Sequence, residues 1–237
     1  KQEIFTNPLK FPEAFTFENY PEAFRQLDFI RTLANSLLIT VSSVIVIVIF
    51  SAMAAYALER IKSKFSTITF MVFVAAMLVP FQSVMIPLVA LFGKAQMLNQ
   101  IGIIFMYLGF GGSMSIFLYH GAMKSIPRAL DEAAIIDGAS RWQVFWKVIF
   151  PMLKPTTVTV AVLNTMWIWN DYLLPSLVIN SPTTQTIPLK MFFFFGQYTK
   201  QWHLALAGLV IAILPVIIFY FFMQKQIIKG VADGAVK

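Results

Sequence analysis

Glu132-Ala-Ala-Ile-Ile-Asp-Gly138, continuing through Ala139-Ser-Arg-Trp-Gln-Val-Phe-Trp-Lys-Val-Ile-Phe-Pro151, is a polar, charged interruption in an otherwise apolar chain. Its residues predict two short helices joined by a sharp turn. Pro127 suits the first turn of the first helix, where the amide that proline lacks would have no intrahelical acceptor. Leu130, Ala133, Ala134 and Ile135 or Ile136 carry that helix on. Gly138 is free to take the left-handed conformation that ends a helix. Ser140 and Gln143, three apart, match a capping box opening the second helix. Pro151 and Pro155 close it before the next apolar run. An elbow of this kind, projecting from a membrane protein, reads as a docking lever rather than a folding connector.

The surroundings of the elbow set the class. Hydrophobic residues make up 58% of the 237 and charged residues 12%, against about 25% charged in a soluble domain. Several apolar runs exceed the roughly 20 residues that cross a bilayer as a helix. They are continuous rather than alternating, which excludes a barrel. The chain is read as all-α and polytopic, with five spans: about Leu33–Leu58, Ser66–Phe92, Ile101–Met123, Thr156–Ile179 and Leu204–Met223. Pro80 and Pro87, with Gln82 between them, predict a kink or break in the second span. Pro175 and Pro215 are expected to bend the fourth and fifth. Residues 1–32 are polar and aromatic and predict an external aqueous segment with short helices. With no cysteine there is neither a disulfide frame nor thiolate chemistry.

Lys and Arg placement orients the spans. Arg60, Lys62 and Lys64 sit in one loop, Lys124, Arg128, Arg141, Lys147 and Lys154 around the elbow, and Lys225, Lys229 and Lys237 in the tail. The two short opposing loops hold only Lys94, Lys190 and Lys200. The elbow and the C-terminus are therefore expected in the cytoplasm. The net charge of +7 is explained by this topology rather than by nucleic acid.

No stretch matches a phosphate-cradling Gly-x-x-x-x-Gly-Lys-Ser/Thr loop. Gly109-Phe-Gly-Gly-Ser113 lacks the lysine, lies inside a span and marks close helix packing or a bend. No His, Cys and carboxylate cluster has metal-ligand spacing, and no nucleophile–base pair is suggested. The chain is therefore not read as an enzyme. In the fourth span Asn164, Trp167 and Asp171 are spaced to share one helical face. A carboxylate at membrane depth is costly unless it meets a partner or a watery cavity. A ring beside hydrogen-bonding groups suits a sugar, with its apolar C–H faces and hydroxyl edges. Equally, Trp and Tyr anchor helices at the interface, and Asp171 could cap an internal network. Gln82, beside the predicted kink, is a further pathway candidate, and His120 is read as an interfacial hydrogen-bonder.

Glu132-Ala-Ala, three residues, Gly138, nine residues, Val148, one residue and Phe150-Pro151 together resemble the "EAA" loop of ABC importer permease subunits. Family members usually carry isoleucine and leucine where Val148 and Phe150 stand, a mild apolar exchange. Asp137-Gly138-Ala139, Phe145 and the Pro151/Pro155 pair resemble the carbohydrate-importing, maltose-permease-like branch. So do Phe17-Glu-Asn-Tyr20, Trp169-Asn170-Asp171-Tyr172 and the ending Lys229-Gly-Val-Ala-Asp-Gly-Ala-Val-Lys237. The resemblance implies a type I importer core of six helices, so the first of the six is expected to lie outside this chain. It implies a transmembrane permease domain over residues 33–228, containing a cytoplasmic coupling loop over 124–155, and a cytoplasmic tail over 229–237. That tail is either near the ATPase pair or a solvated, frayed end.

By the same resemblance the chain is half of a sugar or oligosaccharide pathway in a bacterial inner membrane. Its partners would be a second permease subunit, a pair of ATPase subunits that carry the ATP and Mg, and an extracytoplasmic solute-binding protein. Glu132, Ala133, Ala134, Asp137 and Gly138 would couple to the ATPase, with the Glu132 carboxylate on an arginine in its cleft. The plainer alternative is that Glu132 solvates its helix or pairs with Arg128, four residues earlier. Asn164, Trp167, Asn170, Asp171 and Gln82 are the pathway candidates. A related importer for a non-sugar solute of the glycerol-phosphate kind is the alternative. A secondary carrier would need intramembrane charge pairs or relays, and a scaffold would not need the polar elbow.

Overall fold

The computed structural model describes residues 17–195 and 201–235, and the elements among them are helices. The expected external segment is therefore described only from residue 17. It contains α1 (Asn19–Gln26) and the first turn of α2 (Phe29–Arg60). There follow α3 (Lys64–Ala76), α4 (Phe81–Lys94), α5 (Gln100–Met123) and α6 (Ala129–Ile136). Next come α7 (Arg141–Met152), α8 (Lys154–Asn170), α9 (Leu173–Val178), α10 (Ile187–Met191) and α11 (Trp202–Ala235). The middle of α7, Val144–Ile149, is π-wound.

Helix α2, helix α5 and the Trp202–Phe221 part of α11 are each long and apolar enough to cross a membrane. Two bent pairs, α3 with α4 and α7 with α8, bring the number of candidate spans to as many as five if each pair counts as one span. The second span is broken where the prolines predict it: α3 and α4 meet at 106°, and Pro80 stands between them in extended conformation (ψ 140°). Ser63 opens α3 by accepting from the Ser66 amide (3.1 Å). Asn99 opens α5 by accepting from the Ile101 and Gly102 amides (3.0 Å each).

The fourth span differs from expectation. It ends at Asn170 rather than Ile179, and Asp171 is already extended (ψ 127°). At its other end it is joined at 76° to α7, the elbow's second helix. Pro175 lies inside the short α9, past the break rather than at it. The fifth helix runs beyond the expected Met223 to Ala235, so the tail backbone from 229 to 235 is helical, and 236 and 237 lie outside the described residues.

The chain divides into two compact units, one drawing on the chain to Ser36 with Ser181–Phe222, the other on Leu37–Asn180 with the chain from Met223. In the first unit, the Asn35 amide donates to the carbonyls of Thr183 (2.9 Å) and Gln185 (3.1 Å). Ser36 Oγ there accepts from the Ile187 amide (2.9 Å). In the second unit α5 is the hub, packed against α3, α8 and α9. Its buried side includes Gly111, Gly112, Ser113 and Ser115. Small residues let helices approach in lipid, where apolar burial itself drives little association. At Gly111 an added Cβ would collide with the Asn164 side chain of α8 and crowd Ile47 of α2. Within the Gly109–Ser113 run the close-packing position is thus Gly111, whereas Gly109 is exposed and has open space around it.

Candidate functional site

The elbow of the second unit consists of α6, a turn and α7. At the turn the Ala139 amide reaches back to Ala134 O (2.9 Å) and the Gly138 amide to Ile135 O (3.0 Å). These are the paired bonds of a Schellman ending, which needs a left-handed residue at the position of Gly138; its φ is +86°. Asp137 is the C-cap. Ser140 then opens α7 with the expected reciprocal box: Ser140 Oγ accepts from the Gln143 amide (3.3 Å), and Gln143 Oε1 accepts from the Ser140 amide (2.8 Å). Pro127 stands just before the N-cap Arg128, two positions ahead of the first helical residue and so outside the first turn in which its sequence reading puts it.

The two faces of α6 differ. Outward lie Glu132, Ala133, Asp137 and Gly138, with Ala134 half-buried. Beside them stand Ile135, Trp142 and Ile136, the last 85% exposed. The Glu132 side chain has no hydrogen-bond or ion-pair partner among the described residues, while its amide bonds back to Arg128 O (3.1 Å). Arg128, its candidate partner four residues back, is turned elsewhere: its guanidinium donates to the carbonyls of Glu59 (2.6 Å) and Arg60 (3.4 Å). It thereby caps the last turn of α2, where carbonyls have no intrahelical donor.

Inward lies Asp131, 8% exposed, which sequence reasoning passed over. Its Oδ1 accepts from Tyr56 Oη (2.8 Å) and Arg60 Nε (3.2 Å), and its Oδ2 lies 2.8 Å from Arg60 Nη2. The Arg60 fork also donates to Ile126 O (3.3 Å). Tyr56 packs on Phe145 of α7 (ring centroids 5.3 Å), within a cluster that continues through Trp146 to Phe150. Nearby, His120 Nε2 lies 3.3 Å from the Glu59 carboxylate and the imidazole stacks on Phe70 (3.9 Å). The available signal for Asp131 was an acid adjoining Glu132 on a different face, with Arg60 at the end of a span to receive it.

The pathway candidates separate into groups. Asn164 is buried, and its amide donates to Ser115 Oγ (3.1 Å) and Val160 O (2.8 Å). Tyr107 joins the other two members of the predicted face: it meets Trp167 edge to face (5.4 Å) and donates to Asp171 Oδ2 (2.9 Å). The predicted shared face is nonetheless incomplete, because the helix stops before Asp171. That carboxylate instead accepts from the Leu173 amide (2.9 Å) and opens α9. Asn170 is exposed and donates to Met166 O (2.7 Å). Gln82 lies exposed in the first turn of α4, with no described hydrogen bond to the others. An apolar cavity of about 450 Å³, lined by Met77, Val84, Leu88, Phe105 and Phe110 among others, sits between α3, α4 and α5. Among the described residues no group of three or more His, Cys, Asp or Glu could hold a metal ion.

Comparison with known proteins gives a consistent picture. The family described as binding-protein-dependent transport system inner membrane component matches residues 47–233. The chain is 57% identical over 237 residues to a probable starch degradation products transport system permease of Thermoanaerobacterium thermosulfurigenes, covering 100% of this chain and 86% of that protein. It is 37% identical to a multiple sugar-binding transport system permease of Streptococcus mutans, covering 100% and 86%. It is 34% identical to a melibiose, raffinose and stachyose import permease of Bacillus subtilis, covering 96% and 83%. Among solved structures, it resembles a bacterial ABC transporter involved in import of the acidic polysaccharide alginate, with TM-score 0.75 and 26% identity over 91% of this chain and 81% of that one. A second structure, of a bacterial alginate transporter in complex with an alginate pentasaccharide-bound periplasmic protein, shares the fold at TM-score 0.67 and 17% identity, covering 95% and 88%.

Proposed function

Because this chain belongs to the family of binding-protein-dependent transport system inner membrane components, we propose that it is the transmembrane permease subunit of an ATP-driven importer of short sugars and oligosaccharides. It forms half of the translocation pathway and works with a second permease subunit, a pair of ATPase subunits and an extracytoplasmic solute-binding protein. ATP and Mg belong to the ATPase pair; this chain is not an enzyme. The sugar reading is favoured over a glycerol-phosphate-like solute because similar permeases from several organisms are named for sugar transport. A structure sharing the fold is a complex with a periplasmic protein that carries a pentasaccharide.

The elbow, residues 124–155, is the surface that meets the ATPase on the cytoplasmic side. The observation that carries this is the outward face of α6. Glu132 stands there exposed, its side chain with no described partner, beside exposed Ile135 and Ile136, on a turn held rigid by Gly138 and the Ser140–Gln143 box. A carboxylate with free acceptor sites in an apolar surround suits an arginine fork from another chain. Within the pathway, exposed Trp167, Asn170 and Gln82 are favoured as sugar-facing groups, whereas Asn164 and Asp171 hold the helices that present them.

Reconstitution of the complete importer in proteoliposomes tests the elbow. With Glu132→Lys, uptake should fall about tenfold or more, the scale of losing a central interface contact. The ATPase should detach or hydrolyse ATP without transport. Uptake equal to the parent would remove Glu132 from the coupling surface.

A further inference from the structure

Glu132 and Asp131 are adjacent acids on one short helix, yet their environments are opposite. The Glu132 side chain faces out with no described partner. Asp131 faces in and is engaged at both oxygens by the last turns of α2, through Tyr56 and Arg60. The side chains of the Asp131–Arg60 pair are 11% and 13% exposed. The carboxylate is held at Oδ1 by hydrogen bonds from Tyr56 and Arg60, while its buried Oδ2 makes a 2.8 Å ion contact with Arg60 Nη2 and no hydrogen bond. Arg128 works the same junction from the other direction, capping the carbonyls of Glu59 and Arg60. The elbow and the end of α2 are thus cross-fastened: α6 supplies the acid for an arginine of α2, and the residue before α6 supplies the arginine for carbonyls of α2.

Resting on the reading that the outward face of α6 meets the ATPase, we propose that Asp131 is a positioning residue that fastens the elbow to α2, so that displacement of the Glu132 surface is delivered to that span. Asp131 does not touch the ATPase. It converts contact at Glu132 into movement of α2, because a hydrogen-bonded, largely buried pair has few alternative geometries, whereas a hinged contact would absorb the motion. Tyr56 supports the carboxylate from the preceding turn of α2 and holds Phe145 of α7 against the same joint. One carboxylate receives the push and its neighbour passes it inward.

The test uses the complete importer in proteoliposomes. Asp131→Asn keeps the side-chain volume and removes the charge. The ATPase should still copurify, while uptake per ATP hydrolysed falls about tenfold, within the usual range of coupling between sites. The chain has no cysteine, so spin labels on Ile61→Cys and Lys147→Cys would be its sole labels. Both positions are exposed, one just past the end of α2 and one on α7. Their separation should stay constant between nucleotide-free and ATP-trapped states in the parent, and shift or broaden with Asp131→Asn. Tyr56→Phe, which removes a single hydrogen bond, should give a smaller loss of the same kind. The exchange Arg60→Asp with Asp131→Arg should recover part of the uptake.

Parent-like uptake in Asp131→Asn, or a label separation that behaves alike in both backgrounds, overturns the proposal. So does loss of the ATPase from Asp131→Asn, since that would make Asp131 part of the docking surface. If Asp131→Asn cannot be purified, parent-like behaviour of Tyr56→Phe in both assays overturns it. Glu132→Lys run in parallel separates the two ideas. If it leaves uptake intact, the docking reading fails. If it abolishes uptake while Asp131→Asn does not, only the fastening fails.

Discussion

At the scale of single residues, what is local in sequence was legible and what depends on a distant partner was not. Gly138 announces a helix ending because few other residues accept positive φ, and Ser140 with Gln143 forms its box from residues three apart. Asp131 carries no such mark. Its burial is decided by Arg60, 71 positions earlier, and Arg60 reads in sequence as a topology-setting loop charge. The same holds for Arg128, whose helical spacing suggests Glu132 while its guanidinium caps α2. Gly138→Val tests the local reading. At φ +86° a β-branched residue costs about 1–3 kcal/mol of strain, which the turn would relieve by giving up the bonds to Ala134 and Ile135. The permease should still insert and bind its partner permease, while affinity for the ATPase, read by copurification against a salt series, drops. Gly138→Asn, which tolerates positive φ better, should retain most of it. Equal behaviour of the two variants would show that the left-handed turn does not matter.

At the scale of elements, the broken second span could be read from Pro80, which removes an amide donor and bars the helix. The break in the fourth span could not. Its proline, Pro175, lies past it in α9, and the chain turns instead where the Asp171 carboxylate captures the Leu173 amide and the Tyr107 hydroxyl. A face drawn by helical spacing through Asn164, Trp167 and Asp171 assumes a helix that stops one residue too soon. Close packing of α5 was legible from its glycine run, but not its place at Gly111 or its partners, Asn164 and Ile47, which only the assembled bundle reveals. Gly111→Val places a branched side chain against both, and overpacking of this kind costs about 1–3 kcal/mol. The detergent-solubilised protein should unfold at lower temperature, measured by fluorescence of a thiol-independent reporter. Adding Asn164→Ala should recover part of that loss, because it removes the atom that Gly111→Val would strike. No recovery in the double variant would mean that Ile47, not Asn164, sets the approach.

At the scale of the molecule, α2 exposes a series of large apolar side chains, including Leu37, Leu38, Val41, Ile45 and Phe50, the kind of surface that marks a membrane or partner contact. In a membrane, lipid can cover such faces. The elbow's Ile136 and Trp142 are exposed too, but they sit on the charged segment whose Lys and Arg neighbours are the ground for expecting it in the cytoplasm. On the proposed reading, the ATPase covers them. Both assertions meet in one measurement. In a chain without cysteine, Ile136→Cys is the single thiol, and a membrane-impermeant maleimide reports its side and its cover. Right-side-out spheroplasts should show no labelling, and inside-out vesicles stripped of ATPase should label readily. Readding the ATPase should slow that labelling several-fold, because a docked α6 removes the outward face from solvent. Labelling from the outside would invert the topology and remove the elbow from the ATPase. Labelling from the inside that ignores the ATPase would keep the topology and move the docking surface elsewhere.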